Sequence, residues 1–237
     1  MLKMNKHEGV LDVKYHLERK KRGSAPEYRL RRRTDEVLKA IKTFQNNNVY
    51  SILDVGTGDG LMLDLINEQV NTPEPVGLDL SLELLKKTDP KSKSRFVHGD
   101  VLDMPFENET FDTVIAAAVI EHVSNADVFI SGCKRVLKKG GILIITTPDP
   151  FFEKLATKMG HLKGEHHNKT FNLSELKTLL KVHNLEILIA EKFMMSPIGF
   201  PSEILWDKLE QIMKKIGLEF LMLNQIVVGK KFIKNKT

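Results

Sequence analysis

Cysteine and long apolar runs are what this sequence has least of. Cys133 is the single cysteine in 237 residues, so no internal disulfide can form, and its place in an apolar helical stripe predicts a core side chain. No apolar run approaches the roughly 20 residues that span a bilayer, and residues 1–6 lack the apolar core of a secretion signal. We therefore expect a cytoplasmic protein without a membrane span.

Acidic residues are scarce in one segment near the N-terminus. Residues 14–33 hold nine Lys and Arg against two Glu, a surplus larger than the net charge of +5 of the whole chain. Such a segment suits an anionic substrate, RNA or a membrane surface, or is a solvated helix face. RNA-reading modules usually interleave stacking aromatics with cations, and this segment offers only Tyr15 and Tyr28, which weighs against nucleic acid.

What the chain does have is a glycine-rich turn. A short apolar stretch leads into Gly56, Gly58 and Gly60, and an apolar run at 61–66 follows. This pattern predicts a strand, a turn and a helix, the opening of an α/β nucleotide-type site. The glycines allow positive φ and close ligand approach, and the helix N-terminus favours an anionic group. A dinucleotide fingerprint would need its third glycine where Leu61 stands, which counts against NAD.

Strands and helices alternate along the chain, which predicts a parallel sheet with helices on both faces. Strands are expected at about 49–55, 76–79, 95–98, 112–117, 142–147, 185–190 and 223–230. Helices are expected at about 24–45, 60–70, 82–88, 124–137, 173–182 and 202–216, with a loop-rich stretch at 148–169. We divide the chain into a basic arm and cap helix at 1–48 and a second domain at 49–237, with a helical insertion at about 198–220. Residues 1–23 are expected to pack loosely.

The motif D-x-G-x-G-x-G that runs from Asp54 to Gly60 resembles motif I of the class I S-adenosylmethionine-dependent methyltransferases. Further matches in the right order, including Gly-Asp-Val at 99–101, extend the resemblance over roughly residues 50–190, within the quinone-biosynthesis-like small-molecule group. The resemblance implies a Rossmann-like, seven-stranded, mostly parallel sheet with an antiparallel last strand. It also implies S-adenosylmethionine as cofactor and S-adenosylhomocysteine as product.

Cofactor contacts are expected at the ends of four strands. By resemblance, Asp54 lies near the methionine ammonium, although it could instead only hold the turn, and Gly56 and Gly58 supply close backbone approach. Asp79 ends the second strand, where a carboxylate can accept two hydrogen bonds from vicinal ribose hydroxyls, with helix capping as the alternative. Leu80 would flank the adenine.

The third and fourth strands complete the expected cofactor site. Asp100 resembles the family acid that accepts from the adenine amine, with the Val101 N–H reaching a ring nitrogen, and Ala117 matches a family contact position beside the methionine chain. In related enzymes an arginine on an N-terminal helix reaches the methionine carboxylate. The sequence does not choose among the three arginines at 31–33.

Histidines are the candidate bases. The Glu–His pair ending in His122 resembles one found in O-methyltransferases, and histidine accepts a proton near neutral pH, although a buried structural histidine is an equal alternative. His161, His166 and His167 lie in the loop-rich stretch that would cover the acceptor. This cluster lacks the helical His spacing and the Cys partner of a zinc site, so no metal is predicted.

These features predict methyl transfer from S-adenosylmethionine to a small-molecule acceptor, with oxygen as the expected target atom. The alternatives are an RNA methyltransferase that uses the basic arm, a NAD-type oxidoreductase, and a non-catalytic binding protein with the same fold. The acceptor, the methylated atom and the oligomeric state are left open by the sequence.

Overall fold

The computed structural model describes residues 24–45, 51–70, 72–158, 168–196 and 203–232. The strands are β1 (Ile52–Val55), β2 (Val76–Asp79), β3 (Arg95–His98), β4 (Phe111–Ala117), β5 (Leu137–Pro148), β6 (Leu185–Phe193) and β7 (Asn224–Lys231). The helices are α1 (Ser24–Gln45), α2 (Leu61–Val70), α3 (Leu82–Leu85), α4 (Ala126–Val136), α5 (Pro150–Lys158), α6 (Leu173–Val182) and α7 (Glu203–Lys215). The predicted arm at 1–23 and the candidates His161, His166 and His167 lie outside the described residues.

The described strands form one sheet in the order β3–β2–β1–β4–β5–β7–β6. Strands β1 to β5 are mutually parallel, and β7 runs antiparallel to both of its neighbours. The predicted fold class, a Rossmann-like seven-stranded sheet with an antiparallel last strand, is confirmed. The strand order reverses between β1 and β4, and ligands bind at such switch points in open α/β sheets.

Helices cover both faces of the sheet. On one face, α1 and α2 bury Val37, Ile41 and Ile66 against β1 and β5, and the predicted cap helix α1 therefore shares its core with the sheet. On the other face, α4 and α6 contribute a second cluster that includes Cys133. Cys133 is fully buried, as predicted, and burial raises the pKa of its thiol. The division of the chain at residue 48 stays a prediction.

Side-chain caps start several helices where the sequence predicts them. Ser81 accepts from the Leu84 amide at the start of α3. Asn172 and Glu175 form a capping box at the start of α6, in which each side chain accepts from the other residue's backbone amide. These caps satisfy donors that have no partner inside a helix.

Two predicted boundaries are wrong because backbone pairing and side-chain caps override the local pattern. The stretch after 148 is not all loop: the Asp149 carboxylate accepts from the Phe151 amide at 3.1 Å, and Pro150 suits the first position of α5. Strand β5 begins at Leu137 rather than at 142, because Leu137 pairs with Phe111 across a register shift.

Two further elements differ in length from their predicted ranges. Helix α3 ends at Leu85, four residues long, with the Thr88 hydroxyl donating to the Leu85 carbonyl at 2.9 Å. Strand β6 extends to Phe193, which pairs with Asn224 of β7. Among the helices of the described segments, none has the length and apolar character needed to cross a bilayer.

Replacing Asn172 with alanine tests the capping box. We expect Asn172→Ala to lower the free energy of unfolding by about 1 kcal/mol, because the Glu175 amide loses its acceptor. Urea unfolding followed by circular dichroism measures the change. Lys177→Ala, at an exposed position of the same helix, is the control and should stay within about 0.5 kcal/mol of wild type. Equal free energies of unfolding for the two variants would contradict a stabilising role of the capping box.

Candidate cofactor and acceptor site

The ends of four neighbouring strands form the candidate site. Strands β3, β2, β1 and β4 are adjacent and parallel, so their carboxyl ends lie side by side at one edge of the sheet. This edge carries the residues predicted to hold the cofactor, in this order across the sheet: Asp100 and Val101, Asp79 and Leu80, Asp54 with Gly56 and Gly58, and Ala117.

The turn after β1 depends on glycine at particular positions. Gly56 and Gly58 have φ values of 72° and 61°, in the left-handed region. A Cβ atom on Gly56 would lie 2.5 Å from Cγ2 of Val119, in the segment after β4. The Gly56 amide donates to the Leu78 carbonyl at 2.7 Å, which ties the turn to β2. Glycine is therefore required at position 56 by both backbone conformation and space.

Asp79 joins the glycine turn to the end of β2. Its Oδ2 accepts from the Gly58 amide at 2.8 Å, and its Oδ1 accepts from the Ser81 amide at 2.7 Å. The capping role considered from the sequence is therefore present, and the same carboxylate also fixes the turn. Each carboxylate oxygen retains a second lone pair for a further donor.

Asp54 is a buried carboxyl group beneath the turn. The residue is 3% exposed, and burial raises its pKa to about 7, with the charge of Asp79 adding to the rise. A carboxyl group with this pKa is only partly ionised at neutral pH, and a cation beside it would stabilise its ionised form.

The outer part of the edge is more open. Asp100 is exposed, and its Oδ1 accepts from the Leu102 amide at 2.8 Å. The Leu80 carbonyl lies 3.0 Å from Nε2 of His98, which links the ends of β2 and β3. The side chains of Leu80 and Val101 are half-buried, so that two apolar side chains flank this part of the edge.

Comparison with known proteins identifies the family. Residues 53–145 match the profile of a family described as a methyltransferase domain. Over 166 residues the chain is 39% identical to the mitochondrial ubiquinone biosynthesis O-methyltransferase of Rattus norvegicus, covering 62% of this chain and 48% of the relative. Residues 53–145 are a methyltransferase domain. The predicted resemblance to the class I S-adenosylmethionine-dependent methyltransferases is confirmed, and S-adenosylmethionine is the cofactor of that family.

A second curated relative agrees with this assignment, and a solved structure agrees with the fold. The chain is 30% identical over 115 residues to the demethylmenaquinone methyltransferase of Porphyromonas gingivalis, covering 45% of this chain and 47% of that relative. A solved S-adenosylmethionine-dependent methyltransferase from Archaeoglobus fulgidus superposes with a TM-score of 0.61 at 18% identity, covering 93% of this chain and 100% of that one. The chain spans about half the length of the first curated relatives it matches.

The edge continues beyond β4 with a strained turn that the sequence did not predict. Ala118 has a φ of +58°, unusual for a residue other than glycine, and its amide donates to the Thr146 carbonyl at 2.8 Å. Ala117 is half-buried just before it. Glu121, buried three residues later, accepts from the Thr147 hydroxyl at 3.0 Å. Nothing in the sequence indicates this turn, because alanine rarely adopts a positive φ.

His122 stands where the segment after β4 meets the end of the histidine-bearing stretch. Its side chain is half-buried, and its carbonyl accepts from Nδ2 of Asn168 at 2.6 Å. The Asn168 amide donates to the Glu121 carbonyl at 2.9 Å. Asn168 directly follows the candidate His167 in the chain, and its two hydrogen bonds hold it beside His122. The roles of His122, His166 and His167 stay predictions.

Two of the three arginines at 31–33 are bound to other parts of the methyltransferase. Arg32 donates to Glu210 of α7 at 2.9 Å, and Nη2 of Arg33 donates to Asn224 of β7 at 3.4 Å. Both contacts lie at the β6–β7 half of the sheet. The expectation that one of these arginines reaches the methionine carboxylate stays a prediction.

The sequence also did not predict a partly buried ion pair at the β6–β7 half of the sheet. Nζ of Lys192, near the end of β6, lies 2.6 Å from Oδ2 of Asp149, whose other oxygen caps α5. Nearby, the Gln225 amide group donates to the carbonyls of Phe171 and Pro148. The Asp-Pro pair at 149–150 is a recognisable cap signal, but nothing in the sequence links it to Lys192.

Two other features do not add a site. A shallow groove lined by Asp35, Lys39 and Gln69 lies between α1 and the C-terminal end of α2, away from the glycine turn. Within the described segments, no three His, Cys, Asp or Glu side chains come together as metal ligands would.

Substituting Asp54 tests the raised pKa. Because the folded pKa exceeds the unfolded value of about 4, ionisation costs the wild-type fold up to about 4 kcal/mol as pH rises from about 4 to about 7. Asp54→Asn lacks this cost. The stability of the variant relative to wild type should therefore increase across this window and level off above it. Urea unfolding without cofactor measures both proteins, with Asp103→Asn at an exposed site as control. If the difference in stability between Asp54→Asn and wild type does not change with pH, the pKa of Asp54 is not raised.

Proposed function

We propose that this protein transfers the methyl group of S-adenosylmethionine to an oxygen atom of a small-molecule acceptor. The observation that carries the proposal is the glycine turn fixed by Asp79: a close-approach backbone loop with carboxylates on either side of it. This arrangement suits a ligand with an ammonium group, a diol and an adenine. When bound, the cofactor supplies a sulfonium methyl group that is already activated for displacement.

The residues at the edge fit the parts of the cofactor one by one. Buried Asp54 suits the ammonium group, since a cation offsets the cost of burying its charge. The free lone pairs of Asp79 suit the vicinal hydroxyls of a ribose. Half-buried Leu80 suits an adenine face, and exposed Asp100 with the Val101 amide suits its polar edge. Ala117 leaves room for the methionine chain.

The segment after β4 supports a small-molecule acceptor with a reactive hydroxyl group. His122 follows the buried Glu121, and a histidine there can take the proton of the acceptor hydroxyl as the methyl group is transferred. Holding the acceptor in line can itself lower the barrier by about 7–11 kcal/mol. The name of the rat relative, a ubiquinone biosynthesis O-methyltransferase, supports transfer to oxygen, and the names of the rat and Porphyromonas gingivalis relatives together support a quinone-related acceptor.

An RNA acceptor is not favoured. Arg32 and Arg33, two cations of the basic segment, contact α7 and β7 rather than presenting their charge outward. The positive surface that RNA would need is correspondingly smaller. For a NAD-type oxidoreductase, Leu61 remains a mismatch at the third glycine position.

Cofactor binding is tested at Asp79. We expect Asp79→Asn to weaken S-adenosylhomocysteine binding by about 10- to 100-fold, because a charged acceptor is lost both for the ligand and for the Gly58 amide. Isothermal titration calorimetry measures the affinity. Glu83→Gln, an exposed acid in the adjacent helix α3, is the matched control and should bind as wild type does. If wild type itself binds neither S-adenosylmethionine nor its product, the proposed function is wrong.

The catalytic base is tested at His122. We expect His122→Gln to lower kcat by about 10²- to 10⁴-fold with a hydroquinone acceptor, while S-adenosylhomocysteine affinity stays unchanged. Transfer of a labelled methyl group gives kcat, and a pH profile should lose its limb near neutral pH in the variant. His183→Gln, at the end of α6 and next to the start of the edge strand β6, far from the glycine turn, is the control. An unchanged kcat would exclude His122 as the base.

A further inference from the structure

Helix α7 buries an acidic side chain and leaves apolar side chains in solvent. Glu210 is 4% exposed, whereas Ile204 is 68%, Ile212 is 54% and Ile216, just after the helix, is 61% exposed. A surface helix normally buries its apolar stripe and exposes its charges. Here Leu209 and Met213 are half-buried together with Glu210, but the three isoleucines remain in solvent.

Ion pairs fix this orientation. Glu210 accepts from Arg32 at 2.9 Å and from the Met194 amide at 3.0 Å. Arg32 Nε also lies 3.3 Å from Asp207 Oδ1, and Lys214 Nζ lies 3.3 Å from Glu191 Oε1. Turning the helix to bury its isoleucines would separate Glu210 from Arg32 and from the Met194 amide, and would leave the Glu210 charge without these partners at large cost. The apolar side is therefore held outward.

The outward side combines apolar residues with lysines. Ile204, Lys208, Ile212 and Ile216 follow one another at four-residue spacing and so lie along one side of the helix, with exposed Lys215 next to them. We call these five residues the outer face of α7. Between 204 and 216, the two acidic residues point toward Arg32 instead, so the described side chains of the outer face include no carboxylate.

The outer face lies at the functional end of the sheet. Helix α7 connects the end of β6 to the start of β7, and both pair at the edge where β5 ends. Phe220, in the 3₁₀ turn after the helix, is 58% exposed and extends the apolar surface. A surface that docked here would therefore approach the edge of the sheet that carries the candidate site.

We propose that the outer face of α7 docks on an anionic lipid surface. Isoleucines of a helix that lies in a membrane interface enter the acyl boundary, and the flanking lysines reach the headgroups and gain from negative lipids. A second copy of the chain is a poorer occupant. Two outer faces in contact would set lysine against lysine, with no carboxylate to pair with them.

Vesicle sedimentation tests the proposal. The full chain should bind vesicles of equal parts phosphatidylcholine and phosphatidylglycerol about tenfold or more tightly than pure phosphatidylcholine, and added salt should weaken the binding. Ile212→Ser with Ile216→Ser should reduce binding by about tenfold, and Lys208→Glu with Lys215→Glu should remove the preference for anionic lipid. Val128→Ser with Val182→Ser is the control, since both valines are exposed on other helices.

Other outcomes would overturn the proposal. Equal binding to both vesicle types would exclude a preference for anionic lipid. If the valine control variant binds vesicles as weakly as the isoleucine variant, the outer face of α7 is not the specific docking site. If no α7 variant changes binding, another segment, such as the basic residues 14–33, carries it. A dimer abolished by the serine variants would identify a second copy as the occupant. Retained stabilisation by S-adenosylhomocysteine shows that each variant is folded, and no readout depends on methyl transfer.

Discussion

The edge of the sheet at the ends of β1 to β4 depends on the carboxylate of Asp79. One oxygen holds the Gly58 amide and the other holds the Ser81 amide, so a single side chain fixes the turn after β1 and the start of α3. The turn fits only because Gly56 leaves space for Val119, which brings the segment after β4 against it. The edge is thus set by contacts within the chain, and little ordering remains to be done when a ligand binds.

Two carboxyl groups close together on this edge are distinguished by their surroundings. Asp79 accepts hydrogen bonds from two backbone amides, whereas Asp54 is buried and its pKa rises to about 7. The charge of Asp79 contributes to that rise. A cation placed beside Asp54 would favour the ionised form of this carboxyl group, so binding of a cation there would release a proton near neutral pH.

The sequence predicted the features that depend on local pattern. Short apolar stretches between turn signals predicted all the described strands, and the expected helix at 173–182 begins at the capping pair Asn172 and Glu175. Features that depend on distant partners were not predictable. Strand β5 starts early because Leu137 pairs with Phe111, and Asp149 meets Lys192 across the sheet. The left-handed turn at Ala118 is held by the strands on either side of it, and alanine alone does not indicate it.

The orientation of α7 has the same kind of cause. A helical pattern tells which residues share a side, but not which side meets the protein, and the usual rule would turn the isoleucines inward. In α7, Arg32 determines which side faces the protein. A cation held near the β6–β7 end of the sheet needs carboxylates beside it, and Glu210 and Asp207 reach it only if the helix turns these two side chains inward. The exposed isoleucines are then the consequence of satisfying a buried charge, and that charge determines which surface of the protein is left for a partner.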